Sequence, residues 1–436
     1  MSAGGAEIER LRHGPVLPTL LRLAVPNMLA MTMTVLVGMT EAFYVGRLGT
    51  TPLAAMALVF PFSILTGMMS AGAMGGGVSS AIARAFGARD PERARTLAMH
   101  AVLIGTLMGL VYTLVFVGFG PALYRLLGGT GAVLDEAVRY STVLFSGAIL
   151  VWISNTLASV LRGTGNMRVP STGIIGSAAL QIVLGGMLGL GFGPVPSFGM
   201  VGVAAGHILA TAAGVVFFAW YLATGQGRLR LRFERFRVRG ELLFDILKVG
   251  AVACFSPLQT VLAMQVFAGL VARLGVVPLA GYSIGQRLEF LVTPFAFAIG
   301  VASVPMIGIA IGAGDVARAR RVAWTAGAVS TAALAAIGVL VALVPDLWAR
   351  LYSSDPEVLA YARQYLRVVG PAFALLGLGT TLYFSSQGAG KVLGPVAAGT
   401  VRLVIAFTVG TWIATRGAQS GDYFALVAVA MAAFGL

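Results

Sequence analysis

The chain alternates long apolar runs with short polar connections. Twelve runs can be traced, at roughly 17–45, 53–82, 97–120, 138–161, 170–192, 201–223, 246–272, 278–312, 321–346, 358–386, 393–415 and 422–436. A helix crossing a bilayer needs ~20 apolar residues, and all but the last run supply them. For the last, either the chain ends within its final helix or the sequence stops early. The runs are continuous, whereas barrel strands alternate apolar and polar residues. An all-α integral membrane protein of twelve transmembrane helices is therefore predicted. The longest polar connection, Gly225 to Leu247, leaves six runs on each side. The expected units are residues 1–224, a basic linker 225–245, and residues 246–436.

Composition agrees. Hydrophobic residues make up 58% and charged residues 11% of the 436, against roughly 25% charged in a soluble domain. A soluble enzyme, a disordered chain and a nucleic-acid binder are all disfavoured. The net charge of +14 does not point to nucleic acid, because the basic residues sit in the connections. The N-terminus and the even-numbered connections hold twenty of the 30 Lys and Arg; the odd-numbered ones hold eight. That asymmetry predicts a multi-pass protein of a bacterial inner membrane with both termini and the linker cytoplasmic. Met1 to Pro18 lacks the pattern of a cleaved signal peptide. The single Cys254 allows no intrachain disulfide.

The halves repeat each other. Arg47-Leu48-Gly49 with Pro52-Leu53-Ala54 recurs as Arg273-Leu274-Gly275 with Pro278-Leu279-Ala280. Gly87-Ala88-x-Asp90 with Arg93-Ala94-Arg95 recurs as Gly312-Ala313-x-Asp315 with Arg318-Ala319-Arg320. Gly163-x-Gly165 with Pro170 recurs as Gly388-x-Gly390 with Pro395. The offset is 225 or 226 residues throughout. Six spans per repeat bring both halves into the membrane from one side. Two six-helix lobes related by a pseudo-twofold along the membrane normal are the expected result, which is a transporter architecture. Asp90 and Asp315 are expected to cap the helices after them.

Several of these segments resemble the multidrug and toxic compound extrusion (MATE) transporters. They are Val45-Gly46-Arg47-Leu48-Gly49 with Leu53-Ala54-Ala55, Gly87-Ala88-Arg89-Asp90, Leu161-Arg162-Gly163-Thr164-Gly165 with Pro170, and Ala280-Gly281-Tyr282-Ser283-Ile284-Gly285-Gln286-Arg287. The similarity covers nearly the whole chain. It implies two lobes around a central cavity and antiport of amphipathic, mostly cationic organic compounds against protons or sodium. His13, His100 and His207 are too dispersed for a zinc site. Ser385 stands where a phosphate-binding loop before Gly390-Lys391 needs Gly. No enzymatic activity and no cofactor are expected, only an ion gradient, a lipid bilayer and small-molecule substrates, with the chain as a monomer. Two other readings stay open: a flippase for lipid-linked saccharides, which would want more cationic groups than Arg287 and Arg402, and a channel or scaffold without coupled transport.

A charge at mid-bilayer costs at least ~2.5–3.5 kcal/mol, so intramembrane charges usually face a cavity. Glu41 in span one matches a position that is usually Asp in the family, where it takes part in coupling; the alternative is a carboxylate capping a helix near the outer surface. Pro26, in the same span, is either a functional hinge or a first-turn proline. Pro61, Pro257, Pro294 and Pro305 could kink their helices similarly. Two further family positions of the first-lobe site align with Gln181 and His207, and a third with Gly185. The sodium-type cage thereby loses a carboxylate and a hydroxyl and gains an imidazole, so protons are expected rather than sodium. His207 is expected to share a proton state with Glu41, directly or through water, with Gln181 able to bridge either state, or else to bond a backbone carbonyl near the surface. Span seven offers Gln259 and Gln265 where many members have an acid. Arg287 and Glu289, two residues apart, point to different sides of span eight. Together with Tyr44 and Tyr282 these side chains are the candidates for a substrate cavity, and Arg402 is read as snorkelling toward the cytoplasmic surface.

Overall fold

In the structure, a computed structural model that describes residues 3–192, 195–231 and 237–436, ten helices are long and apolar enough to cross a membrane. In chain order the first three spans are Val16–Leu48, Thr50–Gly87 and Pro91–Leu126. The fourth is a bent pair, Gly131–Ser146 and Ala148–Gly163, with 43° between its parts. Spans five to eleven are Arg168–Leu190, Gly199–Thr224, Gly240–Ala272, Val276–Gly312, Val316–Leu343, Pro356–Gly388 and Leu393–Ala414. Ser420–Gly435, sixteen residues long, is the twelfth. The chain is thus an all-helical, multi-pass membrane protein of twelve helices in two six-helix lobes. Of the basic linker residues, Arg232 and Arg235 lie outside the described residues.

The sequence repeat reappears in the backbone. Gly49 and Gly275 both take positive φ, 127° and 115°, between the first and second spans of their halves. A side chain there would be strained, so the R-L-G motif ends in glycine for a geometric reason. Asp90 Oδ1 accepts from the Arg93 amide at 2.9 Å, and Asp315 Oδ1 from the Arg318 amide at 2.8 Å. Both act as the N-caps the sequence implies. One position breaks the symmetry: Arg89 holds φ 61° where the second half has Gly314 at 80°.

Packing divides the molecule along its length. One hydrophobic core crosses both halves, joining Ile82, Phe86, Leu97 and Leu161 to Ile246, Ile299, Ile307 and Val322. All of these lie toward the end that carries most of the basic connections, called here the basic end. At the opposite end each half keeps its own core. Val45, Val59, Phe116 and Tyr140 form one; Phe267, Tyr282, Tyr365 and Phe424 form the other. The halves are thus fused at the basic end and only lightly in contact at the other.

Spans two and eight make the fusion close. A Cβ on Gly87 would lie 2.2 Å from the Ile309 carbonyl oxygen, and one on Gly312 would lie 2.0 Å from that of Arg84. Only glycine lets these backbones touch. Charges reinforce the contact. Asp245, at the start of span seven, accepts from Arg84 at 3.2 Å and Arg93 at 3.1 Å, both from the first half, and pairs with Lys248 at 2.7 Å. The N-terminal helix Ala3–His13 lies across the same end: Leu11 is buried, Arg12 reaches the Gly87 carbonyl at 3.5 Å, and Arg318 of the second half donates to the carbonyls of Leu11 and Gly14. At mid-depth Asn27 donates to the Ala298 carbonyl at 3.3 Å.

Two helices depart from regularity near that level. Met68–Met74 of span two is a π-helical turn, held by Asn155, which donates to Ser70 Oγ at 2.8 Å. Span seven breaks at Cys254, three residues before Pro257.

Candidate functional site

Spans one, five and six bring Glu41, Gln181 and His207 together in the first lobe. Each lies about 10–14 Å below the end away from the basic connections, at 1.5 Å per helical residue. Spans five and six can approach because Gly206 sits against the backbone of Gly185: a Cβ on Gly206 would be 2.5 Å from the Gly185 nitrogen. The Gly185 that removes an acid from the family-type cage is thus also the residue that admits span six.

Gln181 is the centre of the cluster. Its Nε2 lies 2.6 Å from Glu41 Oε1 and 2.7 Å from His207 Nδ1. Glu41 Oε1 and His207 Nδ1 are themselves 3.9 Å apart. A carboxylate only accepts, and an amide nitrogen only donates. In this arrangement Gln181 donates to Glu41 Oε1, and His207 Nδ1 is placed to accept from the same amide nitrogen. Adding a proton to His207 Nδ1 would oppose two donors, and the Gln181 amide would have to turn its oxygen toward the ring. A proton on Glu41 Oε1, the oxygen that faces Gln181, would require the same turn, whereas one on Oε2 would not. The Glu41 and His207 side chains keep 17% and 25% of their surface exposed. The surface-carbonyl alternative for the His207 ring is not what the geometry shows.

Tyr44, one turn from Glu41, donates to the Ile182 carbonyl at 3.1 Å and packs on Gly186. It braces span one against span five rather than standing free in a cavity. Pro26 lies ten residues into a helix that runs unbroken from Val16, so the first-turn alternative fails. Its neighbour Asn27 is tied to span eight.

The second lobe holds a different cluster. Glu289 is buried and accepts from the Tyr365 hydroxyl. Arg402, also buried, stands within electrostatic reach of Glu289, Tyr282 and Tyr365, and its guanidinium lies 5.7 Å from the Phe434 ring. Arg402 therefore does not snorkel to the surface. It lies about 13–14 Å from the basic-end start of its helix, where neighbouring acid and phenols offset its desolvation better than a stretch through apolar sequence would. Tyr282 packs edge-on against Tyr365 and accepts from Gln286 at 3.2 Å. Gln259 donates to Thr400 at 2.7 Å, which binds span seven to span eleven, while Gln265 is exposed. Arg287 points away from Glu289 and stacks over Tyr352 at 5.0 Å, exposed. It does not join the buried cluster.

Tyr140 and Tyr365 escape a reading based on charge alone. They are 225 residues apart, so they are the same position of the repeat. Tyr140 is buried within electrostatic reach of Glu41, and Tyr365 bonds Glu289. Each lobe keeps a buried tyrosine near its acid, although the acids come from non-equivalent spans. The repeat offset was the signal that could have found the pair.

The chain's relationships are consistent with this architecture. The MatE family model matches residues 26–187 and 253–412. A FAD transporter of Shewanella oneidensis is 25% identical over 374 residues, covering 84% of this chain and 82% of that protein. A probable multidrug resistance protein, NorM, of Thermotoga maritima is 25% identical over 409 residues, covering 89% and 84%. The multidrug export protein MepA of Staphylococcus aureus is 24% identical, covering 90% and 87%. Among solved structures, a MATE in complex with MaL6 superposes with a TM-score of 0.90 at 23% identity, covering 100% of this chain and 96% of that one. An outward-facing multidrug resistance MATE transporter gives 0.85 at 23% identity, covering 98% and 96%. The family match takes in both halves and well over half of the chain, and with the twofold backbone repeat it establishes that this protein belongs to the MatE family of membrane transporters.

Proposed function

We propose that the protein exports amphipathic, mostly cationic organic compounds across a bacterial inner membrane by alternating access, driven by protons. The observation that carries the reading is the Gln181 amide nitrogen held between Glu41 and His207. A proton placed on His207 Nδ1 or on Glu41 Oε1 would turn the Gln181 amide, and the three residues stand on three different spans. Proton loading is therefore able to bias how span one packs on spans five and six. Two named relatives are multidrug proteins, which agrees with a broad substrate range. A first-lobe acid favours cations, whereas the second-lobe acid has Arg402 beside it. In this reading the termini and the linker 225–245 face the cytoplasm, the units are 1–224 and 246–436, and the cleft between the separate cores opens outward.

The test is reconstitution into vesicles with a fluorescent organic cation, imposing a proton or a sodium gradient separately. Efflux should follow the proton gradient and be lost in Glu41→Gln, while that variant still binds the cation. Efflux driven by sodium alone, or undiminished in Glu41→Gln, would exclude proton coupling through this site. A flavin nucleotide belongs in the same assay, because one relative is named for FAD; export of the flavin but not the cation would overturn the substrate class.

A further inference from the structure

A pocket at the basic end lies between spans one and five, lined by Glu7, Arg22, Asn166 and Arg168 among others. It lies nineteen residues along span one from Glu41, about 28 Å away, and so is a separate place on the molecule. Span one has 33 residues, about 50 Å at 1.5 Å each, against a hydrocarbon core of about 30 Å. Arg22 is six residues from its start, about 9 Å in, which is the depth of lipid phosphates. The pocket's acid, Glu7, is already engaged by Arg228. The Asn166 side-chain carbonyl oxygen is engaged by the Val169 amide at 3.2 Å. No carboxylate pairs with Arg22 or Arg168 among the described residues. Two uncompensated guanidiniums thus converge on one opening.

The opening continues into an apolar face. On span one, Val25 and Leu29 follow Arg22 at helical spacing, exposed by 52% and 58%. On span five, Thr172 and Gly176 follow Arg168 and are exposed, and beyond Gly176 nothing lies within 4 Å of a would-be Cβ. The two spans pack directly on one another, so these faces form one groove running from the arginines toward the middle of the membrane.

We propose that this groove binds an anionic phospholipid, with its phosphate between Arg22 and Arg168 and an acyl chain along Val25, Leu29 and Gly176. Arginine suits a phosphate because its planar fork makes paired hydrogen bonds, and basic pockets between transmembrane helices hold acidic headgroups in this way. A zwitterionic headgroup would bring its own cation against the arginines. The bound lipid ties the ends of spans one and five together beside the N-terminal helix, whose Glu7 is neutralised by Arg228.

The test is native mass spectrometry of the purified protein with phosphatidylglycerol or phosphatidylcholine of identical chains. Phosphatidylglycerol should be retained preferentially. Each arginine near the surface is worth roughly fivefold, so the double variant Arg22→Gln/Arg168→Gln should lower the preference roughly 25-fold, and Arg320→Gln, a basic residue elsewhere on the same end, should not. An unchanged preference in the double variant, or an equal fall in Arg320→Gln, overturns the site. Displacement of the lipid by millimolar inorganic phosphate would make a free phosphate the ligand and overturn the lipid assignment. Should the double variant melt early in phosphatidylcholine, a photoactivatable phosphatidylglycerol on the unaltered protein decides. Cross-links within residues 17–29 or 168–183 support the groove, and labelling spread evenly over all spans rejects it.

Discussion

Both amide hydrogens of Gln181 are taken, one by Glu41 and one by His207. Any chemistry that depends on this bridge must show non-additivity. His207→Ala should shift the pH dependence of export, and the same change should have little further effect in a Glu41→Gln background. Residues sharing one network couple by about 0.5–3 kcal/mol, a few-fold to over a hundredfold in rate, so the double-mutant cycle is readable; independent effects would break the bridge hypothesis. Gln181→Leu, similar in size but unable to bridge, should leave both ends in place and reduce their coupling to what their direct 3.9 Å approach supplies. The second lobe calls for a different expectation. Removing one member of a buried charged cluster typically costs about 3–5 kcal/mol, so Glu289→Gln should lower the melting temperature more than Glu41→Gln does. The reverse order would mean that Glu289 is already neutral or better solvated than its burial implies. The first cluster was legible in the sequence because charged residues in apolar runs stand out and the family motifs fix their spans. The second was only partly legible: Glu289 stood out, but its bond to Tyr365 depends on how span eight faces span ten, and no local pattern in either span encodes that.

At the scale of elements, the run of apolar and polar positions gave the helices but not their joints. Runs that read as single spans proved to contain the bend at Gly147, the break at Cys254 and the π-helical turn at Met68–Met74. Each depends on what packs alongside, as Asn155 does on Ser70. The ion pairs at the ends of helices were equally hidden. Asp245 reads as one more linker charge, yet it gathers Arg84, Arg93 and Lys248 across the halves. Asp245→Asn should weaken the closed basic end by on the order of 2 kcal/mol, the worth of hydrogen bonds to a charged group, a shift of roughly 30-fold. Spin labels at Glu92 and Arg320, exposed on opposite halves of that end, should report a larger population of long distances; an unchanged distribution would show that glycine packing alone holds it shut. Asp346, on the short helix before span ten, is a surface counterpart. Hydrogen bonds from Arg363, at 2.6 and 3.1 Å, hold its carboxyl below the usual carboxylate range. A depressed folded-state pKa stabilises above the unfolded Asp value of about 3.9 and ceases to do so as pH falls through the folded one. Asp346→Asn should therefore flatten the loss of thermal stability on acidification below about pH 4, without affecting transport at neutral pH.

The molecule as a whole is built from one shared core and two private ones. Opening the basic end has to expose part of the shared core, while the private cores can move as bodies. The Gly87–Ile309 and Gly312–Arg84 contacts should therefore govern the balance between states. Gly312→Leu cannot be accommodated against the Arg84 carbonyl, and the same pair of spin labels should be driven apart irrespective of pH. If the labels stay close, the backbones separate at that point without opening. The duplication was legible in three short motifs, because turns and caps demand particular residues. The placement of the fusion at one end was not, because glycines that touch a neighbour and glycines that touch lipid look alike in a sequence. The π-helical turn gives span two a property that a regular helix lacks. It stores one surplus residue in a single wide turn, much as a crystal stores a dislocation. Absorbing that surplus residue into a regular helix would rotate the outer portion, Thr50–Gly67, by about 100° against an inner portion clamped to span eight, while remaking only the few hydrogen bonds of the turn. The span can thus turn one of its ends while the other stands still.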